Sequence, residues 1–211
     1  MSDLPEGREA FQVAFNVSRE TMEKFDAYEV LIRKWNRSIN LVSRTTLDQV
    51  WSRHFHDSAS AYDLAKINQG NWVDLGSGGG FPGAVIAIMA HGAGSPIQVT
   101  CIESDIRKCE FLRSLARTLN IKLNVLSRRI EDAPPQAANI LSARALTSLS
   151  NLLGFAERHL APDGHAIFLK GVTWQSELDE ALESWRFSYE KQASQTHPDS
   201  VVLRIGEIER V

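Results

Sequence analysis

Two carboxylates and a run of glycines form the part of this sequence best suited to chemistry. Residues 73–83 read VDLGSGGGFPG, and Glu103 follows Gly78 by 25 positions. Glycine permits a positive φ and lets the backbone approach a ligand closely. A pyrophosphate is disfavoured here, because Asp74 would repel it and Pro82 removes one backbone donor from the helix start that would bind it. The loop is therefore expected to hold a nucleoside that carries a positive charge.

S-Adenosyl-L-methionine combines a ribose with an ammonium group and fits this loop. Glu103, at the end of a predicted strand, can accept hydrogen bonds from both ribose hydroxyls, while Asp74 suits a cation. We expect both acids to bind this cofactor together with Gly76, Ser77 and Gly78. A glycine-rich turn without a ligand is the plainer alternative, but five glycines within eight residues cost unfolded-state entropy and pack against nothing.

From residue 71 onward, short β-rich runs alternate with helical stretches. Strands are predicted over 71–75, 97–103, 123–126, 140–142, 165–170, 187–192 and 201–208. Helices are predicted over 82–90, 105–119, 148–160 and 175–182. Alternation of this kind implies parallel strands, right-handed crossovers and helices on both faces. The sequence thus predicts an α/β fold, with a Rossmann-like, doubly wound, mostly parallel seven-stranded sheet that ends in an antiparallel strand pair.

Residues 1–65 are predicted to form a helical N-terminal extension to this sheet. Apolar residues recur every three or four positions across 22–35, and Ser18 is placed to cap that helix. Residues 66–211 then form the α/β domain as one compact unit. Because doubly wound sheets bind ligands where the strand order reverses, the glycine loop after the first strand marks the expected site.

Composition limits the classes of protein to which this chain can belong. Its 211 residues are 43% hydrophobic and carry a net charge of -3, which is typical of a globular protein. The longest apolar run, 83–90, is much shorter than the roughly 20 residues that span a membrane, and residues 1–6 lack the pattern of a secretion signal. We therefore expect a cytoplasmic protein without a membrane partner. The spacing of Cys101 and Cys109 is typical of neither a disulfide framework nor a zinc site, and both are expected to be buried.

The charge is unevenly distributed along the chain. Residues 107–144 carry eight basic and three acidic side chains, whereas 57–106 carry one and five, and 145–211 carry six and ten. The basic segment is either the solvated face of a helix or a surface for nucleic acid. If five of its charges met the phosphates of single-stranded RNA, the logarithm of the affinity would fall by at most about 3.5 per tenfold rise in salt.

Several short stretches between residues 28 and 171 occur together, in this order, in one protein family. The pattern Asp74-x-Gly-x-Gly-x-Gly resembles motif I of class I methyltransferases. The further stretches are KWN at 34–36, NLVS at 40–43, RHFHDS at 53–58, GGGFPG at 78–83, SRRIE at 127–131, SARA at 142–145 and LKG at 169–171. Jointly they resemble the ribosomal small-subunit methyltransferase G family, also called glucose-inhibited division protein B.

This resemblance implies transfer of a methyl group from S-adenosyl-L-methionine to N7 of one guanine in 16S rRNA, near the decoding centre. By motif match, it implies that Gly76 and Phe81 line the cofactor site. It also implies that Ile130 and Glu131 meet the adenine, and that Arg144 faces both cofactor and substrate.

The implied reaction makes modest demands on side chains. N7 of guanine carries an exposed lone pair, so no deprotonation is needed and no general base is expected. The enzyme must hold N7, the methyl carbon and the sulfur in line. Arg144, predicted just after the fourth strand, is expected to position the guanine through O6 or a phosphate; a salt bridge that holds the loop is the alternative. Cys101 is rejected as a nucleophile because a cysteine in mid-strand is expected to be buried and neutral.

The side chains expected to contact RNA are Arg53, His54, Arg128 and Lys170. A capping network through Asp57 and Ser58 is the alternative for the first two, and a solvated strand end is the alternative for Lys170. His54 and His56 lack the further ligands that a metal ion needs, so no metal is expected. We expect a monomer that binds 16S rRNA or the small ribosomal subunit and does not bind DNA.

Other functions stay open at this point. A methyltransferase of a small molecule would need an enclosed pocket and no rRNA. A nicotinamide oxidoreductase is disfavoured by Asp74 and Pro82. A non-enzymatic module could use the cofactor only as a signal on the ribosome. The chain departs from the family pattern at Arg128 and Arg129, where two arginines stand in place of one, and at His56, an unusual residue in its stretch.

Overall fold

The computed structural model describes residues 7–194, 197 and 199–211. Its strands are β1 (Asn71–Leu75), β2 (Gln98–Glu103), β3 (Asn124–Ser127), β4 (Ala138–Arg144), β5 (Leu160–Lys170), β6 (Trp185–Ala193) and β7 (Val201–Arg210). They form one sheet in the order β3-β2-β1-β4-β5-β7-β6. Strands β1 to β5 pair in parallel, whereas β7 runs antiparallel between β5 and β6. The predicted α/β architecture is confirmed.

The helices surround this sheet. They are α1 (Arg8–Phe15), α2 (Arg19–Trp35), α3 (His56–Ala65), α4 (Gly83–Gly92), α5 (Ile106–Leu119), α6 (Leu149–His159) and α7 (Trp174–Leu182), with a 3₁₀ segment (Arg44–Gln49) and a π-helical segment (Val50–Phe55) before α3. Ser18 caps α2 as predicted, because its Oγ accepts a hydrogen bond from Thr21 N at 3.2 Å. Within the described part of the chain, no helix is long and apolar enough to cross a membrane.

Two apolar clusters bury side chains of the sheet and its helices. In one cluster, Phe25 and Tyr28 of α2 join residues of α4 and α5 such as Phe111. In the other, Leu149 and Leu153 of α6 join residues of α7 and the strands. The N-terminal helices therefore share a core with α4, the helix that follows the glycine loop, and this packing stabilises the loop.

The strand order reverses between β1 and β4. The chain leaves β1 for β2 and β3 on one side, and it returns to β4, which continues to β5 on the other side. Trp72 Nε1 donates to Ser142 Oγ at 2.8 Å and ties the two central strands together. The loops that follow β1 and β4 consequently face each other beyond this edge, where sheets of this type bind their ligands.

Candidate functional site

Two adjoining cavities lie beyond the carboxyl ends of the central strands. The first cavity, of about 910 Å³, is lined by the loops after β1, β2, β3 and β4, by α6, and by Trp185 and Arg210 at the ends of β6 and β7. The second cavity, of about 660 Å³, lies between β4, β5, the π-helical segment and the start of β7. Ala145, Leu146 and Thr147 line both cavities. We call residues 145–147 the dividing loop, because it separates one cavity from the other.

Gly76, the first residue of the glycine loop, and Glu103 line the first cavity. Gly76 and Gly78 have φ values of +60° and +54°, which side chains other than glycine rarely tolerate. Glu103 is buried at the end of β2, where its Oε2 accepts from Gly78 N at 2.9 Å and its Oε1 accepts from Asp105 N at 2.8 Å. Because each carboxylate oxygen has about two acceptor positions, Glu103 can hold the loop and still accept a ligand hydroxyl.

Asp74 lies beneath the loop and lines neither cavity. Its carboxylate accepts from Ser142 Oγ at 2.7 Å and from Gly83 N at 3.1 Å. Burial raises the pKa of Asp74 to about 6, although these hydrogen bonds and one from Ser77 lower it. The expected contact with a ligand cation does not occur in this geometry, because the carboxylate turns inward to join β1, β4 and the start of α4.

Ser77 is also turned inward. Its Oγ donates to Asp74 O at 3.0 Å, and its own carbonyl accepts from Gly80 N and Phe81 N at 2.7 and 3.1 Å. The side chain of Ser77 therefore shapes the loop, and the expected contact of this residue with the cofactor stays a prediction. The buried hydroxyl stabilises the sharp turn by which the glycine-rich segment leaves β1.

The loop after β3 contributes the far wall of the first cavity. Ile130 and Glu131 both line it, as the resemblance implied. Arg128 and Arg129 lie beside them with exposed side chains. Arg128 thus remains available at the mouth of the cavity, where a contact with RNA is geometrically open.

Arg144 ends β4 and lines the second cavity. Its Nη2 lies 2.6 Å from His54 Nδ1, and its Nη1 donates to Arg53 O at 3.4 Å. The guanidinium carbon also lies 4.8 Å from the centre of the Phe81 ring, within cation–π distance. Burial lowers the pKa of Arg144 to about 10, although the charge of Asp57 raises it. The guanidinium therefore stays protonated at neutral pH.

His54 contacts Arg144 and fixes its position. Burial lowers the pKa of His54 to about 3, and the charges of Arg144 and Arg53 lower it further. The ring is thus neutral, so Nδ1 accepts from Arg144, and Nε2 donates to Thr46 Oγ1 at 2.9 Å. The ring also stacks on Phe81 with 4.9 Å between centroids. The π-helical segment carries this ring into the protein, where it is 7% exposed and still lines the second cavity, so the expected contact of His54 with RNA stays a prediction.

Lys170 is likewise not an exposed strand-end lysine. Its side chain is 8% exposed and pairs with Glu177 of α7, and Nζ donates to Thr147 O at 3.0 Å. Glu177 in turn accepts from Leu149 N and from Thr173 Oγ1 at 2.9 and 2.8 Å. This network fixes the dividing loop to α7, and Lys170 also lines the second cavity, so its expected contact with RNA stays a prediction.

Arg53 lines the second cavity with a half-buried side chain. Asp57 lines the same cavity from α3, which begins at His56. The alternative of a capping network is therefore wrong, since Asp57 stands inside the first turn of the helix and not before it. Its Oδ1 instead accepts from Ser194 Oγ at 2.9 Å.

Tyr28 is a functional candidate that the sequence did not reveal. It is fully buried in α2, donates from its hydroxyl to Gly79 O at 2.5 Å, and stacks on Phe81 with 5.6 Å between centroids. Its place in the apolar period of α2 predicts a core residue, and that signal hides the hydroxyl's contact with the loop. Tyr28, Phe81 and His54 form one stack that leads from the glycine loop to Arg144.

The two cysteines are not candidates for a nucleophile in this site. Cys101 and Cys109 are free and buried, as expected. Burial raises the pKa of Cys101 well above its usual value, so this thiol is neutral. In the described part of the chain, no group of three His, Cys, Asp or Glu side chains is arranged to hold a metal ion.

Comparison with known proteins places these features in a family. The family model GidB, described as rRNA small subunit methyltransferase G, matches residues 21–201. The ribosomal RNA small subunit methyltransferase G of Ruegeria pomeroyi is 50% identical over 196 residues, covering 93% of this chain and 96% of that protein. The protein of the same name from Ruegeria sp. strain TM1040 is 48% identical over 196 residues, covering 93% and 95%.

A solved structure shows the same fold at low sequence identity. The TehB-like SAM-dependent methyltransferase of Corynebacterium glutamicum has a TM-score of 0.57 at 11% identity, covering 88% of this chain and 99% of that one. This likeness concerns the arrangement of strands and helices. The family match, in contrast, includes the glycine loop, the dividing loop and most residues around the second cavity.

Proposed function

The chain belongs to the GidB family, rRNA small subunit methyltransferase G, and from this premise we propose that it transfers the methyl group of S-adenosyl-L-methionine to N7 of one guanine in 16S rRNA, near the decoding centre. The observation that carries this proposal is the pair of cavities that share one wall at the reversal of the strand order. One cavity suits a nucleoside cofactor, and the other is polar and open enough for a base turned out of an RNA strand.

The residues of the first cavity fit S-adenosyl-L-methionine. Glu103 has acceptor positions for the ribose at the end of β2, and Ile130 offers an apolar surface for an adenine. Glu103 and Glu131 are the acids that line this cavity and can accept hydrogen bonds from the ligand, beside five basic residues, Lys108, Arg128, Arg129, Arg158 and Arg210. At Gly76, a Cβ would approach Leu146 Cδ1 to 2.6 Å, so the space between the glycine loop and the dividing loop depends on the absence of a side chain there.

When bound, S-adenosyl-L-methionine supplies a methyl group on a positively charged sulfur. Its transfer to N7 of guanine would need no proton to move, because N7 already carries a free lone pair and the C–S electron pair would stay on the sulfur. What the protein must do is hold the base at the dividing loop with N7 towards the first cavity. Such alignment contributes about 7–11 kcal/mol to well-oriented reactions.

Arg144 is the residue that we assign to holding the base. Its guanidinium has five N–H donors in a planar fork, of which two contact His54 and Arg53 O. The remaining donors can bind guanine O6, which lies next to N7 on the major-groove edge. His54 and Phe81 fix the plane of the guanidinium, so the donors are oriented before the base arrives.

The test is methylation of defined RNA. Small subunits and naked 16S rRNA from cells without this activity are incubated with the protein and methyl-labelled cofactor, and the labelled nucleoside is identified. The expected product is N7-methylguanosine at one position. Glu180, an exposed residue of α7 that lines neither cavity, supplies the control variant Glu180→Ala, which should keep full activity. Label absent from both RNAs, or present at another atom, would sink the proposal.

A further inference from the structure

A threonine in the wall of the second cavity contacts the histidine that supports Arg144. Thr46 belongs to the 3₁₀ segment and lines this cavity with a half-buried side chain. Its Oγ1 lies 2.9 Å from His54 Nε2, and His54 Nδ1 lies 2.6 Å from Arg144 Nη2. We call these three side chains the hydrogen-bond relay, because they join the 3₁₀ segment to the guanidinium.

The hydroxyl proton of Thr46 has a fixed acceptor. Thr46 Oγ1 donates to the carbonyl oxygen of Ser43 at 3.2 Å, and a carbonyl oxygen can only accept. A hydroxyl has one proton and two lone pairs, so Thr46 Oγ1 meets its other neighbours as an acceptor. These neighbours are Ser43 Oγ at 2.8 Å and His54 Nε2 at 2.9 Å. The imidazole must consequently carry its proton on Nε2.

Arg144 requires the same arrangement of the ring from the other side. A guanidinium has N–H donors and no acceptor, and a neutral imidazole has one nitrogen of each kind. His54 Nδ1 therefore accepts from Arg144 while Nε2 donates to Thr46. Without an acceptor at position 46, the buried Nε2–H would lack a partner. The ring would then lose one of the two contacts that fix its tautomer and its orientation.

The backbone around Thr46 is held by contacts within the same part of the chain. Asn36 Oδ1 accepts from Leu41 N and Val42 N at 2.8 and 3.1 Å, which fixes the turn before the 3₁₀ segment. Ser43 O then accepts from Thr46 N at 3.1 Å as well as from its hydroxyl. Both contacts hold the threonine in one orientation, so the acceptor for the ring is in place before RNA binds.

We propose that Thr46 is a positioning residue for methyl transfer, which acts through the ring of His54 to hold the guanidinium of Arg144 where it meets the target base. The inference rests on the proposed function, because it takes Arg144 as the group that holds the base. A reaction that needs no general base depends on the placement of its reactants, and a misdirected guanidinium impairs that placement. Thr46 should affect RNA binding more than cofactor binding, since it lines the second cavity and not the first.

A double-mutant cycle tests whether Thr46 acts through Arg144. Thr46→Val keeps the shape of the side chain and removes the acceptor, whereas Thr46→Ser keeps the hydroxyl. The Kd for naked 16S rRNA should rise about tenfold in Thr46→Val, as expected for one lost hydrogen bond, and less than about threefold in Thr46→Ser. In an Arg144→Ala background, Thr46→Val should cost less than about threefold. An equal cost in both backgrounds would mean that the hydroxyl contacts RNA directly, and it would overturn the inference.

Thr45→Val is the matched control, because it makes the same chemical change one position away. Thr45 is exposed and contacts Ser43 Oγ at 3.0 Å, but it lines neither cavity. This variant should bind RNA and S-adenosyl-L-methionine as wild type does. Calorimetry should also show unchanged cofactor affinity in Thr46→Val. Equal losses of affinity for cofactor and RNA would indicate a purely structural role for Thr46 and overturn the inference.

A spectroscopic readout needs neither RNA nor methylation. The NMR resonances of the His54 ring nitrogens and of the Arg144 guanidinium nitrogens report the two hydrogen bonds of the relay. Thr46→Val should shift both sets, while Thr46→Ser and Thr45→Val should leave both in place; Thr46→Ala replaces Thr46→Val if that variant does not fold. A shift confined to the His54 ring overturns the inference, because the effect would then end at the ring.

The failure of the proposed function is recognised separately. If wild-type protein does not methylate N7 of guanine, the proposed function is overturned. The resonances of Arg144 and the double-mutant cycle for RNA binding still decide whether Thr46 acts through His54, because neither measurement depends on methylation.

Discussion

The ion pair between Lys170 and Glu177 tests whether this lysine serves the fold or the RNA. The two side chains are 8% and 18% exposed. Lys170 Nζ also donates to Thr147 O at 3.0 Å, and Glu177 Oε2 accepts from Leu149 N at 2.9 Å. The substitution Lys170→Met keeps an unbranched apolar side chain and removes the charge, so Glu177 remains without its cation.

Removal of one partner of a buried ion pair typically costs about 3–5 kcal/mol, because the charge left behind loses its compensation. Glu177 keeps the hydrogen bonds from Leu149 and Thr173 and a small contact with water. The free energy of unfolding should therefore fall by about 3 kcal/mol, which is the lower end of the range for a broken buried ion pair. In a chain of this size, 1 kcal/mol corresponds to about 2–4 °C in Tm, so the variant should melt about 6–12 °C lower.

Urea denaturation of four proteins measures this effect: wild type, Lys170→Met, Glu177→Leu and the double variant. The double variant should be more stable than Lys170→Met, because an apolar pair replaces a lone buried charge. Lys122→Met, at an exposed lysine, should change stability by less than about 0.5 kcal/mol. The reasoning is refuted if Lys170→Met changes the free energy of unfolding as little as Lys122→Met does. In that case the loss of one phosphate contact would instead lower the salt slope of RNA binding by about 0.7.

The same pair has a pH signature. Burial raises the pKa of Glu177, but hydrogen bonds from Lys170 and Thr173 outweigh it, and the net shift is downward. An acid with a lowered pKa in the folded state stabilises the protein above its unfolded pKa, about 4.3, and that contribution is lost as the pH falls through the folded value. The difference between wild type and the double variant should therefore shrink below about pH 4.

Three further outcomes are expected. Arg144→Ala should lower turnover at least tenfold, as loss of a charged hydrogen-bond donor implies, with a much smaller effect on Tm; equal losses in kinetics and melting would favour a structural role. Tyr28→Phe should cost about 1–2 kcal/mol in urea denaturation and weaken cofactor binding in calorimetry, since Gly79 O loses its donor; unchanged values would contradict this. The pKa of Asp74 is raised to about 6 by burial, so ionisation of this carboxyl should lower stability as the pH rises from about 4 to 6. Asp74→Asn should remove this dependence of stability on pH. If the urea midpoints of wild type and Asp74→Asn fall equally over this pH range, the dependence belongs to another group.

Local signals in the sequence predicted the architecture well. Strand β1 has the predicted bounds, because an apolar run stops at a glycine loop that no helix or strand can continue through. Ser18 was placed correctly because capping depends on two neighbouring turns only. The parallel pairing of the strands could be predicted because β and α segments alternate along the chain. This alternation can be read from the sequence without knowledge of any single contact.

The roles of single polar residues were harder to predict, since partners distant in the chain decide them. Nothing near His54 indicates that Arg144, 90 positions away, will use its ring nitrogen as an acceptor. Lys170 follows an apolar strand and therefore resembles a solvated end, yet Glu177 of the next helix folds back onto it. Asp74 was expected to face the ligand because it stands beside the glycines, but Ser142 and Gly83 supply donors on the inner side of the loop.

The dividing loop gives the two cavities a thermodynamic connection. Ala145 has a φ of +51°, an uncommon conformation for a residue with a side chain, and Leu146 reaches the glycine loop from the same segment. A ligand that shifts these residues in one cavity reshapes the wall that the other ligand meets. Whatever factor cofactor binding imposes on the affinity for RNA, RNA must impose the same factor on the affinity for the cofactor.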